Sequence, residues 1–69
     1  MYKVYYYDSS DDSYNRYLSF RTLREAEHEV SRLIKLHESD VTAYYIEWVE
    51  DGFPREIAYY LTLNGWERE

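Results

Sequence analysis

Three groups of side chains in this sequence could carry chemistry: the carboxylates of Asp8, Asp11 and Asp12, the imidazoles of His28 and His37, and the hydroxyls of ten tyrosines. The acidic trio resembles a cation loop only superficially. It lacks the alternating oxygen ligands, the central glycine and the terminal bidentate Glu of a calcium loop. His28 and His37 fall on nearly opposite sides of the helix that the surrounding pattern demands, so they cannot chelate one metal or work as an acid–base pair. With two glycines there is no phosphate-binding loop, and with no cysteine there is neither a thiolate centre nor a disulfide framework. No Ser sits in a nucleophile-elbow context with a His placed to activate it. Carboxylates outside a cleft have no reason to split their pKa values into acid and base. The residue types therefore point away from catalysis, a cofactor or a small-molecule substrate. They leave acids and tyrosines as what the chain can present to a partner.

The chain has 69 residues, one small domain spanning 1–69, and a chain near this size buries only roughly 60% of the surface it exposes when unfolded. There is no room for a deep cavity. Eight basic against fourteen acidic residues give a net charge of −6, which repels the phosphate backbone that dominates nucleic-acid affinity. A protein with a basic surface fits this balance better than DNA or RNA. Met1-Tyr2-Lys3 leads directly into a strand pattern, and no apolar run is long enough for a signal segment or a membrane span. The chain reads as soluble and cytoplasmic, with no membrane partner.

The elements that must position these residues follow from periodicity. Tyr2 to Tyr7 and Tyr14 to Arg21 are aromatic, β-branched runs on either side of the polar Ser9–Ser13 segment, which reads as a hairpin. Thr22-Leu23-Arg24-Glu25 matches a capping box and starts a helix expected to run to about Glu38. Within it Leu23, Ala26, Val30, Leu33, Ile34 and His37 recur at helical spacing and form one stripe to be buried. Val41 to Val49 and Arg55 to Leu63 make a second hairpin around Glu50-Asp51-Gly52-Phe53-Pro54. Asn64-Gly65 signals a further tight turn, after which Trp66 either begins a short fifth strand or folds back onto the core edge. The expected fold is α+β: ββαββ, a four-stranded antiparallel sheet with one helix on one face and the other face open.

Alternation then assigns sides. Val4, Tyr6, Leu18, Phe20, Tyr44, Ile46, Trp48, Ile57, Tyr59, Leu61 and Leu63 are expected beneath the helix. Tyr5, Tyr7, Tyr17, Tyr45 and Tyr60 are expected on the open face, along with Lys3, Asn15, Arg21, Ala43, Glu47, Val49, Ala58 and Thr62. If Trp48 faces Ile57, then Tyr45 faces Tyr60; if Val4 faces Leu18, then Tyr5 faces Tyr17. Such pairs stabilise a sheet, and a broad patch of tyrosines is also an interface composition. Chain direction gathers Asp8, Asp11, Asp12, Glu38, Asp40, Glu67 and Glu69 at one end of the sheet, an anionic pole able to steer and hold a basic surface.

In size, acidity and element order the whole chain resembles the small acidic proteins of phages and mobile elements of the anti-CRISPR type. No residue motif carries the resemblance, so no functional residue is transferred from it. It implies a stoichiometric inhibitor, working in the host cytoplasm, that masks a basic nucleic-acid-binding surface on a host nuclease. Two other uses of the same surfaces are a homodimer closed through the tyrosine face and the stacking of single-stranded nucleic acid on the rings. The second lacks the element order and the aromatic motif of RNA-binding sheets and carries the wrong charge.

Overall fold

The computed structural model describes residues 1–36 and 38–69. His37, expected at the core edge, lies outside the described residues. The element order is β1 (Tyr2–Asp8), β2 (Ser13–Phe20), α1 (Leu23–Leu36), β3 (Val41–Glu50), β4 (Phe53–Thr62) and β5 (Gly65–Arg68). The strands form one antiparallel sheet in the order β2-β1-β3-β4-β5. The α+β reading holds, and the sheet has the fifth strand. Among the described residues no helix is long and apolar enough to cross a membrane.

Local chemistry fixes the boundaries. Thr22 caps the helix: the Glu25 N–H donates to the Thr22 hydroxyl at 3.1 Å, and that hydroxyl, not the Thr22 backbone N–H of a full capping box, donates to the Glu25 carboxylate at 3.0 Å. The β3–β4 turn is tighter than the Gly and Pro positions suggest. Asp51 and Gly52 alone form it, at φ 52° and 82°, and positive φ at both central residues matches the right-handed twist of the strands. Phe53 and Pro54 thus belong to β4. Pro54, with no N–H to give, lies in the part of β4 that β5 does not reach.

The core lies between α1 and the sheet. Val4, Val30 and Ile46 are fully buried, with Ala26, Leu33, Val41, Tyr44 and Tyr59 around them. The helix lies over β1, β2 and β3. β5 closes the far side: its Trp66 ring stands 5.4 Å from that of Tyr44, and Arg68 pairs with Glu27 of the helix at 2.6 Å. Trp66 thus does both things its sequence allowed, starting a strand and packing on the core edge.

Two register details depart from simple alternation. Tyr2 pairs with Phe20 and Lys3 with Ser19, but Tyr5 pairs with Arg16, Tyr6 with Asn15 and Tyr7 with Tyr14. β2 therefore holds one extra residue opposite Val4, a bulge that reverses which way its N-terminal half points. Leu18, expected beneath the helix, is 50% exposed, and Asn15 pairs with a covered-face residue. In the second hairpin Ile46, and not Trp48, faces Ile57, so Tyr45 is opposite Ala58. That shift is an even number of residues, so the faces survive it. Leu63, expected in the core, stands at the β4–β5 turn, fully exposed.

Candidate binding surface: a tyrosine row beside an acidic loop

The face away from the helix is built in rows. Reading across β2, β1, β3, β4 and β5, the first row is Tyr14, Tyr7, Ala43, Tyr60 and Glu67. The second is Arg16, Tyr5, Tyr45 and Ala58. The third is Ser19, Lys3, Glu47 and Glu56. Large rings alternate with alanines, so the rings lean across the gaps. Tyr7 and Tyr14 have centroids 5.0 Å apart, Tyr14 and Tyr45 5.7 Å, and Tyr45 and Tyr60 5.9 Å in an edge-to-face arrangement.

Ala43 and Ala58 are buried although no helix covers them, which identifies the tyrosines as their roof. The rings are thus both a small second core and a surface. Tyr14 and Tyr60 are exposed, whereas Tyr5, Tyr7 and Tyr45 are half-buried. Burial, followed by hydrogen bonding with Tyr14 and Tyr60, pushes the Tyr45 phenol well above its ordinary value.

Of the five tyrosines expected on this face, Tyr5, Tyr7, Tyr45 and Tyr60 are there and Tyr17 is not. The bulge in β2 turns Tyr17 under the helix, where its hydroxyl donates to Glu29 at 2.8 Å. Arg32 grips the same carboxylate with two nitrogens, at 2.8 and 2.7 Å. Those hydrogen bonds, from Arg32 first and then Tyr17, hold the Glu29 carboxyl down at about 2. Tyr14 takes the place on the open face, and Tyr45 meets Tyr60 diagonally, not directly. A signal for the bulge was present in the sequence. Aromatic pairs at both ends of the first hairpin, Tyr2 with Phe20 and Tyr7 with Tyr14, cannot both form without one extra residue between them.

The acidic residues divide in two. The β1–β2 loop is pinned to the α1–β3 connection, because the Ser9 N–H and hydroxyl both donate to the Asp40 carbonyl, at 2.8 and 2.9 Å. That brings Asp8, Asp11, Asp12, Glu38 and Asp40 to one end of the molecule. Asp8 accepts the Ser10 hydroxyl at 2.6 Å and the Ser10 N–H at 2.9 Å, and these bonds lower its pKa and keep it ionised. Glu67 and Glu69 do not join this pole, because β5 reverses direction and carries the end of the chain back down the sheet. Glu67 stands beside Tyr60 in the first row, its carboxylate 2.6 Å from the Thr62 hydroxyl. The Glu69 N–H donates to the Ala58 carbonyl at 2.7 Å, at mid-sheet.

One contact joins the two surfaces. The Tyr7 hydroxyl donates to the Asp12 carboxylate, which raises the Tyr7 pKa and fixes the acidic loop against the end of the tyrosine row. Asp12 holds φ at 51°, a left-handed conformation that Asp tolerates better than most residues. Elsewhere carboxylates are engaged within the fold, Glu27 by Arg68 and Glu29 by Arg32. Among the described residues, no group of three or more His, Cys, Asp or Glu side chains is placed to hold a metal ion. In comparisons with protein-family models, curated proteins and solved structures, nothing matches this chain.

Proposed function

We propose that this chain is a non-catalytic protein that binds a basic surface on another protein through the tyrosine row and the adjoining acidic loop. The observation that carries this reading is their continuity. Through the Tyr7–Asp12 hydrogen bond, an amphipathic aromatic patch and a carboxylate cluster form one surface. Aromatic rings provide desolvated anchors and flanking acids provide steering, the division of labour seen at energetic hot spots and at charge-complementary interfaces. Placed on a basic nucleic-acid-binding surface, such a molecule excludes the nucleic acid both sterically and by charge. The reading is therefore a stoichiometric inhibitor of a host nuclease, of the anti-CRISPR or another anti-defence type, acting in the cytoplasm. A homodimer through the same face fits less well, because it would bring Asp12, Glu47, Glu56 and Glu67 of two copies together.

The test begins with capture from the source cell by the wild type, by an Asp11→Asn/Asp12→Asn double variant and by Tyr60→Ala. The captured protein is then purified and titrated. The proposal expects its nucleic-acid binding or cleavage to fall linearly to completion at equimolar wild type, with both variants weaker and the wild type weakened by salt. A captured protein that keeps its nucleic-acid activity at saturation, or that binds both variants as tightly as the wild type, overturns it.

A further inference from the structure

On the helix side, between the C-terminal half of α1 and strands β1 and β3, lies a groove of about 260 Å³. Leu33 and Val41 give it an apolar floor, and Tyr6, Tyr17 and Tyr44 are its aromatic walls. Asp8, Glu38 and Asp40 stand at its mouth. Among the described residues, no Lys or Arg lines it. The nearby Arg32 reaches the Tyr17 hydroxyl at 3.3 Å, but its charge is held by Glu29. Tyr44, only 3% exposed, is the most deeply set of the groove's rings. Tyr44 is one of the residues lining the groove, and burial, then the charges of Glu38, Tyr17 and Tyr6, raise its pKa.

Each of these features suits one kind of occupant. The volume falls below the roughly 300–1,000 Å³ of sites for drug-sized molecules but accommodates one long side chain. Lys and Arg lay an aliphatic stem along apolar surface while keeping the charged head at a polar rim. Tyrosine faces attract cations, and α1, ending at Leu36, points the negative end of its dipole toward this mouth. We infer that the groove takes a single Lys or Arg side chain of the partner, its stem on Leu33 and Val41 and its head among Tyr44, Asp8, Glu38 and Asp40. The inference rests on the basic partner proposed above and adds a second point of attachment, on the opposite side of the sheet from the tyrosine row. The pinned acidic loop lies between the two, so a partner that grips the acidic end reaches both.

The test needs no partner. The folded full chain is titrated with N-acetyl-lysine methylamide, N-acetyl-arginine methylamide and, as an uncharged control, N-acetyl-norleucine methylamide, following backbone amide shifts by NMR. Saturable shifts at Leu33, Val41 and Tyr44 are expected with at least one of the basic probes and not with norleucine. Glu38→Gln/Asp40→Asn, both exposed positions, should weaken that binding about tenfold by removing two charge partners. Asp11→Asn/Asp12→Asn and Tyr60→Ala should leave it unchanged. No saturable shift with either basic probe, equal shifts with norleucine, or binding that survives Glu38→Gln/Asp40→Asn would overturn the groove assignment. That failure is separable from failure of the proposed function: a silent groove beside a partner sensitive to the Asp11/Asp12 and Tyr60 changes removes only the groove.

Discussion

The two faces of this sheet solve the same burial problem with different materials. Between helix and sheet, Val4 and Ile46 of the sheet and Val30 of the helix are fully enclosed, each layer covering the other. On the other face there is no second layer, and Ala43 and Ala58 are enclosed by tyrosines from their own layer. The first arrangement is a core that needs a partner element. The second is a core that makes its own lid and leaves hydroxyls on top of it. Phe could roof the alanines equally well but would expose a contiguous apolar patch, whereas Tyr keeps that patch hydrated until something binds.

Truncation beneath the helix should do the most damage. Leu33→Ala removes a buried side chain where the helix meets the sheet, and its expected loss of about 2–5 kcal/mol is measured by chemical denaturation. On the open face, Tyr45→Ala breaks ring contacts with Tyr14 and Tyr60 and should lower stability by only about 1–2 kcal/mol, while costing about 2 kcal/mol or more in partner affinity. If Tyr45→Ala proved as destabilising as Leu33→Ala with binding intact, the open face would be a second structural core and nothing more. Ala58→Leu sharpens the comparison from the other side. Overfilling the space beneath the roof should cost about 1–3 kcal/mol and raise the accessibility of Tyr45.

Acid and alkali should then separate the two faces. The Glu29 carboxyl is depressed from 4.5 to about 2, so between those values the unfolded chain binds more protons than the folded one. Stability from the Tyr17–Glu29–Arg32 cluster is therefore present above 4.5 and lost as pH falls toward 2. Glu29→Gln should flatten that acid limb in a pH series of unfolding midpoints. For Tyr45 the sign reverses. Its phenol is raised above 10.0, the folded state holds the proton longer, and stability falls as pH rises beyond that value. Tyr45→Phe should flatten the alkaline limb and remove one late-ionising phenol from an absorbance titration. The smallest effect belongs to Asp11→Asn/Asp12→Asn. Unfolding should shift by less than about 0.5 kcal/mol, because asparagine at position 12 keeps an oxygen for the Tyr7 hydroxyl and tolerates the left-handed backbone there, while the association rate with a basic partner falls and loses part of its salt dependence.

Much of this contrast was legible in the sequence, because side alternation needs only strand parity. The Thr22–Glu25 cap and the stripe through Ala26, Val30 and Leu33 depend on local spacing and appear where expected. What escaped was anything depending on a count of residues between partners. The bulge in β2 moved Tyr17 from the open face to the helix side and substituted Tyr14, because one inserted residue inverts every side chain beyond it. The acidic pole lost Glu67 and Glu69 because a four-residue strand after Asn64 reverses the chain, with its Trp66 packed against Tyr44. The groove beside Leu33 could not be read at all. It exists only where residues from α1, β1 and β3 converge.

The strand order has a kinetic consequence. β1–β2 and β3–β4 are each joined by a short turn, and such hairpins close in microseconds. The sheet becomes single only when β1 meets β3, across a stretch of chain that includes all of α1. That closure pays its loop entropy before the pairing of Val4 with Ile46 returns anything, so it is the natural folding barrier. Both hairpins must already be correctly registered when they meet. A chain in which β2 slipped its bulge would arrive with Tyr17 on the wrong side and no hydroxyl for Glu29, leaving the docked sheet without its clasp to the helix.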